Sequence, residues 1–262
     1  MGLLSNGGIH SDIGHLFALL EVFRNFKYRG KIFLHIFTDG QDTAPKSAGK
    51  FLEMLEEKIS PSKNIRIASV IGRYYVMDKN ENWERTASVY NLLTGGPRDA
   101  GAASARQAIE HSYQQGVFDE MIAPVAITRG GSPVAEIHNG DAVIFFNFRS
   151  DRARQLTAAF THPDFKAFPA KKFKNLYFAT MSNIDPENRV PAAWQEPKAE
   201  YPLARVISAA GLTQLHIAET EKYAHITYYL NVGQEELLTG EKHVLIKSSA
   251  VNNFADKPQM AA

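Results

Sequence analysis

The 262-residue sequence predicts an α/β protein, a largely parallel sheet flanked by helices, followed by part of a second α/β domain. Three observations carry this expectation. Segments with apolar residues spaced three and four apart alternate with short runs of β-branched and aromatic residues, the pattern of a sheet wound with helices. Glycines at 40, 72, 95 and 116 punctuate the ends of those runs. A crossing from Asp185 to Pro202, carrying Pro186, Pro191, Pro197 and Pro202, sets off a tail of about sixty residues, too short to make a comfortable domain alone. The expected division is therefore 1–197 and 198–262.

The elements follow in order. Leu16, Phe17, Leu20 and Phe23 recur at helical spacing, so Ile13 to Phe26 reads as an amphipathic helix. The glycine-rich loop before it, Asn6-Gly7-Gly8, precedes any expected strand. Lys31 to Phe37 reads as a strand ending at Asp39-Gly40. Ser47 to Ile59 reads as a helix stopped near Pro61, and Ile65 to Ile71 as a strand ended by Gly72. Trp83 to Leu93 and Ala102 to Gln115 read as helices, with Gly95 and Gly116 just past their ends. Asn139-Gly140 marks a turn into a strand from Ala142 to Phe148. Arg152 to Phe160 reads as a helix and Leu176 to Met181 as a strand. After the proline-rich crossing come a short helix and strands over Gln214–Ile217, His225–Asn231 and His243–Ile246.

Composition excludes several classes of function. Hydrophobic residues make up 44% and charged residues 22%, the balance of a globular chain. With 29 basic and 28 acidic residues, the net charge of +1 argues against a nucleic-acid-binding surface. No cysteine is present, which removes disulfides, thiolate metal sites and a cysteine nucleophile. No apolar run is long enough for a transmembrane helix. P-loop, G-x-S-x-G and dinucleotide fingerprints are absent, as is H-E-x-x-H among the nine histidines. His10, Asp12 and His15 are close in sequence, but Asp12 and His15 are expected at the start of a helix as capping or exposed residues.

Ligands of open α/β sheets bind beyond the carboxyl ends of the strands. Three expected strand ends carry polar groups there: Thr38-Asp39-Gly40-Gln41-Asp42, then Gly72-Arg73 with Asp78-Lys79, then Asn147-Phe148-Arg149-Ser150-Asp151-Arg152. Arginine's planar fork grips carboxylate and phosphate at two points. Asp42, Arg73, Lys79, Arg149 and Arg152 on one rim would suit a small polyanion with hydroxyl groups. The alternative stays open: Arg149 pairs with Asp151, Asp42 is a turn residue, His10 bonds only to backbone, and Lys222 with Glu219 and Glu221 is a surface ion-pair patch.

The strings MGLLSNGGIHSDIGHLFALLE, FTDGQDTAPKSA, IGRYYVMDKNENWER, GDAVIFFNFRSDRARQLT, IAETEKYAHITYYLN and KPQMAA resemble, in the same order and from first residue to last, the cofactor-independent phosphoglycerate mutases. The resemblance implies an alkaline-phosphatase-like metal domain joined to a substrate-binding domain. It also implies interconversion of 3-phosphoglycerate and 2-phosphoglycerate in glycolysis through a phosphoserine, with two manganese ions and no 2,3-bisphosphoglycerate. A cytoplasmic enzyme, monomeric when complete, is implied, acting on a small molecule with neither nucleic acid nor membrane as partner. Segment 1–197 then corresponds to most of the substrate-binding domain and 198–262 to part of the phosphatase-like domain. The serine and the metal ligands are expected outside this chain. The alternative expectation is an inactive fragment that at most binds phosphoglycerate.

Carried over by motif, His10 resembles the substrate-contacting histidine of the loop after the glycine pair. Asp42 resembles the catalytic carboxylate that handles the glycerate hydroxyl protons. Arg73 resembles an arginine closing on substrate, and Arg149 and Arg152 the pair holding its anionic groups. Lys222 resembles the lysine reaching the transferred phosphoryl group. At two substrate-binding positions the family's arginine is replaced, by Gln41 and by Lys79. The first loses charge and fork, the second only the fork.

Overall fold

The computed structural model describes residues 1–97, 101–185, 190–195, 199–234, 236–251, 256–259 and 261. Pro186, Pro197 and Met260 of the segments singled out above lie outside the described residues. The chain forms two compact units, Met1–Gln195 and Glu196–Ala262.

The first unit opens with a two-residue strand, β1 (Gly2–Leu3), where the sequence suggested none. It exists because its backbone pairs in parallel with β2 (Ile32–Thr38), Leu3 opposite Phe37. Helix α1 (Ile13–Asn25) lies between them and starts at Asp12, whose carboxylate accepts the Gly14 amide at 2.7 Å. Ile13, Leu16 and Leu20 form its buried stripe, while His15 is exposed. Helix α2 (Ala48–Ile59) is capped from a distance: the Asp119 carboxylate accepts the amides of Ser47 and Ala48, each at 2.8 Å.

Strand β3 (Ile65–Gly72) continues the parallel sheet and runs straight into the one-turn helix α3 (Arg73–Val76). Helix α4 (Trp83–Thr94) ends on Gly95 at φ 83°, the left-handed cap only glycine takes without cost. The helix expected from Ala102 starts later. Gly101–Ala102 is the short strand β4, and Ser104 caps α5 (Ala105–Gln114) by accepting the Gln107 amide. Strand β5 (Val125–Arg129) was not foreseen. It lies antiparallel to β3 and parallel to β4, and pairs with β6 (Ser132–Pro133). The six-stranded sheet follows the order β1-β2-β3-β5-β4 with β6 on β5, so it is parallel except around β5.

Strand β7 (Ala142–Phe145) is shorter than expected, since Phe146 and Phe148 bond to Met1 and His10 carbonyls instead of a ladder. Helix α6 (Arg154–Thr161) follows, and β8 (Tyr177–Thr180) pairs with β7 in parallel. Phe37, Ile71, Phe145, Leu93 and Leu156 are fully buried in one core; Leu4, Ile36, Leu52, Val70 and Ile122 lie in a second. Burial of each such side chain is worth roughly 1.5–3 kcal/mol.

In the second unit, α7 (Leu203–Ala209) leads to β9 (Gln214–Glu219), α8 (Thr220–Ala224) and β10 (Glu241–Ile246), with β9 and β10 parallel. The strand expected over His225–Asn231 is a helical continuation of α8. His225–Tyr229 forms a π turn, with the Thr227 hydroxyl donating to the Tyr223 carbonyl and the Gly233 amide to that of Tyr228. Isoleucine, threonine and tyrosines favour strands by tenths of a kcal/mol, and a helix already begun at Thr220 overrides that preference.

Candidate functional site

The site is built outward from Asp39. The buried end of β2, Leu34 through Thr38, carries this aspartate into the sheet's carboxyl rim, where it is 1% exposed. Its carboxylate accepts the Ser5 hydroxyl at 2.5 Å, the amides of Gln41 and Asp42 at 3.1 and 3.0 Å, and Arg73 at 2.6 Å. The Gly40–Asp42 loop is thereby folded back over one carboxylate, in the manner of an Asx turn. Burial pushes the Asp39 pKa upward, but the Ser5 and Asp42 bonds and the Arg73 charge outweigh it and hold the carboxyl below its ordinary value. The same Arg73 guanidinium lies 2.8 Å from Asp42 Oδ2, with its side chain 3% exposed. A side chain at Gly7 would place Cβ 2.6 Å from that of Asp42, so the glycine loop is what lets Asp42 settle there.

His10 joins the second group of charges to the first. Its backbone carbonyl accepts the Phe148 amide at 2.8 Å, which ties the His10 loop to the segment after β7. Its ring is buried, with Nδ1 lacking a hydrogen-bond partner and 3.8 Å from Asp151. Asp151 in turn holds Arg149 at two points, Nε and Nη2 each at 3.0 Å. Arg152 donates to the Met77 carbonyl at 3.1 Å, at the end of α3. Burial, then the charge of Arg73 and more weakly of Arg149 and Arg152, push the His10 pKa down to about 3, against the opposing pull of Asp151. The imidazole is therefore neutral at neutral pH, inside a field set by three arginines. Asp151 is held below the ordinary carboxylate value: burial raises it, and the charge and hydrogen bonds of Arg149, with the charge of Arg152, more than reverse that.

The structure thus brings together His10, Asp42, Arg73, Arg149 and Arg152. Gln41 is turned aside, its amide hydrogen-bonded to Glu120. Lys79 is half-buried in the loop after α3, next to Asp78. That loop is tied down by Asp78, which accepts the Asn82 amide and side chain, Arg85 and Gln155. Lys222 belongs to the second unit, on α8 rather than between two strands, with Nζ 2.8 Å from Glu219. Sequence reasoning passed over Asp39 and Ser5. The signal for Asp39 was available: an aspartate directly after the apolar-rich strand IFLHIFT is placed where burial is expected, and a buried carboxylate must be paired.

Chemically, this group of arginines favours a small polyanion, with a carboxylate and a neutral imidazole at hand for a hydroxyl. It does not fit a pair of divalent cations, because Asp39, Asp42 and Asp151 are each already engaged by arginine and three cationic groups surround the space. A cavity of about 680 Å³ elsewhere in the unit, lined by Leu16, Phe23, Phe33 and Val143 together with Lys31 and Glu136, contains none of these residues.

His10 and the buried His35, also pushed down to about 3 by burial, make the fold acid-sensitive. In the unfolded chain both take up protons below their ordinary value of about 6.5, while in the folded chain they resist until about pH 3. The histidine contribution to stability is therefore present above about pH 6.5 and is lost as pH drops through that window; Asp39 and Asp151, with lowered pKa values, add to the loss at its acid end. Urea midpoints at pH 7.5, 6 and 5 are expected to decrease in order, and His10→Gln should flatten the trend. A flat profile in the wild type would contradict the neutral burial of these rings.

Residues 1–186 match the family model described as the BPG-independent PGAM N-terminus. The chain is 45% identical, over its whole length, to the 2,3-bisphosphoglycerate-independent phosphoglycerate mutase of Desulforudis audaxviator, and 42% identical to mutase 1 of Methanosarcina barkeri. It covers 51% of each, so the chain spans about half the length of the curated relatives it matches. In structure it is similar to a phosphoglycerate mutase of Leishmania mexicana crystallised at low cobalt concentration, with a TM-score of 0.88, 27% identity, and coverage of 99% of this chain and 49% of that one. No described helix is long and apolar enough to cross a membrane. The fold, the strings at its strand ends and these likenesses place the chain in the family of 2,3-bisphosphoglycerate-independent phosphoglycerate mutases, BPG-independent PGAM, of whose N-terminal part it is a member.

Proposed function

We propose that this chain grips phosphoglycerate for the interconversion of its 3- and 2-phospho isomers, a glycolytic isomerase reaction. The observation that carries the reading is the convergence of Arg73, Arg149 and Arg152 on the buried, neutral His10, with Asp42 alongside. Phosphoglycerate offers two anionic groups and one hydroxyl, which this set can address. Arg149 and Arg152 hold the anionic groups, and Arg73 closes on them. Asp42 takes and returns the hydroxyl proton, and His10 contacts the substrate as a neutral ring. Gln41 and Lys79 supply weaker grip than arginine would. Lys222 serves the transferred phosphoryl group. Residues 1–197 act as the substrate-binding domain and 198–262 as part of a phosphatase-like one. The phosphoserine and the manganese pair that go with this reaction are not assigned to residues of this chain. The setting is cytoplasmic and the complete enzyme monomeric, with no 2,3-bisphosphoglycerate, nucleic acid or membrane required.

The test is calorimetric titration of the chain with 3-phosphoglycerate, repeated at two salt concentrations, alongside a thermal melt. One saturable site is expected, weakened by salt, and at a hundredfold excess over Kd the ligand should stabilise the fold by roughly 2.7 kcal/mol. Glycerol 3-phosphate, which lacks the carboxylate, should bind at least about tenfold more weakly, one charge-assisted contact being worth roughly 1.5–3 kcal/mol. Absence of saturable binding, or equal binding of both compounds, would count against the assignment.

A further inference from the structure

The second unit contains a cluster that the mutase reading does not use. His216 on β9 and His243 on β10 are directly paired in the parallel register, and Glu241 precedes His243 by two positions. Because side chains alternate along a strand, all three leave the same face of the pair. His216 and Glu241 are buried and His243 is nearly so. The two imidazoles stack with centroids 5.0 Å apart and planes 22° from parallel. Glu241 Oε1 lies 3.3 Å from His216 Nδ1 and 2.5 Å from His243 Nε2. Among the described residues this is the one group of three histidine or carboxylate side chains whose ligand atoms all lie within 4.8 Å of one another.

The surrounding hydrogen bonds determine which atoms are available. Gln214 Nε2 donates to the Ala204 carbonyl at 2.8 Å, which leaves its Oε1 facing His216 Nε2 at 3.1 Å. An amide oxygen only accepts, so His216 carries its proton on Nε2 and presents a lone pair at Nδ1. That Nδ1 is buried without a hydrogen-bond partner and faces a carboxylate oxygen, lone pair against lone pair. Glu241 is anchored by two further donors, the Asn231 side-chain amide to Oε1 at 2.8 Å and the Leu238 backbone amide to Oε2 at 2.9 Å. Asn231 is 1% exposed, and its Oδ1 also lacks a partner. A buried polar pair left in this state costs stability unless something positive lies between the two atoms.

We propose that His216, Glu241 and His243 form a site for one divalent d-block cation of the zinc type, held through His216 Nδ1, the Glu241 carboxylate and His243 Nε2, with water completing the sphere. Two imidazoles and one carboxylate select zinc, cobalt or nickel over magnesium and calcium, which prefer all-oxygen shells. The Gln214 bond to the far nitrogen of His216 is the outer-shell support that ligating histidines need. His243 must give up the proton it shares with Glu241 for its Nε2 to ligate. A proton on His216 Nδ1 would relieve the same opposed pair without a metal, and the experiment separates the two.

The full chain, stripped with chelator, is titrated with Zn²⁺ by calorimetry and with Co²⁺ in the visible. One equivalent of Zn²⁺ should bind, and Co²⁺ should give the intense d–d absorption of a four-coordinate N/O site that Zn²⁺ then bleaches. Gln214→Leu should weaken Zn²⁺ by about 10- to 100-fold, and His216→Ala or His243→Ala by more. Because a core histidine variant can fail to fold, the wild type is also followed by ¹⁵N-histidine NMR. The ring signals of His216 and His243 should shift together with one equivalent of Zn²⁺, while those of His10, His35 and His111 stay in place. Failure to bind Zn²⁺, binding that survives both alanine substitutions, or shifts at other histidines would overturn the site and leave an imidazolium–carboxylate pair.

Discussion

Arg73→Ala is expected to cost the first unit about 3–5 kcal/mol, the usual penalty for leaving buried charges without their partner. Arg73 lies 2.6 Å from Asp39 and 2.8 Å from Asp42, and Asp39 is 1% exposed, so its carboxylate has no water to turn to. The loss should appear as a fall in urea midpoint and in melting temperature of roughly 10 °C. Asp39→Asn alone should cost less, since Arg73 keeps Asp42 and the neutral amide needs no counter-charge. In the Arg73→Ala background Asp39→Asn should recover part of the loss, because the orphaned charge has gone. Phosphoglycerate binding should disappear in Arg73→Ala even at temperatures where the variant is folded. A midpoint within experimental error of the wild type would show that the arginine is not the counter-charge of the β2 rim.

Arg149→Ala carries the second large effect, on affinity rather than stability. The side chain is partly exposed and its two-point partner is Asp151, at 3.0 Å through each nitrogen. Removing it takes away one arginine fork and also uncovers an acidic group beside the anion. The fork alone is worth roughly 1.5–3 kcal/mol, about 10- to 100-fold in Kd, and the uncovered carboxylate adds to that. Adding Asp151→Asn to Arg149→Ala should therefore restore part of the affinity for 3-phosphoglycerate, whereas Asp151→Asn alone should loosen Arg149 and weaken binding slightly. Calorimetry on the three variants distinguishes this from a purely local role, in which the second substitution would restore nothing.

Much of the fold was readable along the chain, for local reasons. Helices α1, α2 and α4 show their buried stripes as periodicity, and Gly95 marks the end of α4 because a left-handed residue is needed there. The run to Phe37 reads as a buried strand, and its carboxyl end is where ligands of such sheets bind, so Asp42, Arg73, Arg149 and Arg152 could be named before their geometry was known. β5 and β6 were not legible: a five-residue run and a two-residue run carry too little periodicity to stand out. The His225–Tyr229 turn was misread because aromatic and β-branched residues say "strand" only weakly.

By itself, then, the sequence determined the α/β class, most element positions, the rim on which charged residues collect and the family whose strings it carries. These depend on interactions within a few residues of one another. The tertiary structure alone decided which charges pair. Asp39 with Ser5 and Arg73, Asp119 capping α2, Asp151 beside His10, and the two histidines meeting Glu241 are partnerships set by strand register and loop return. A carboxylate's partner is chosen by distance in space, through desolvation and Coulomb attraction. Neither quantity is written in the spacing of residues along the chain.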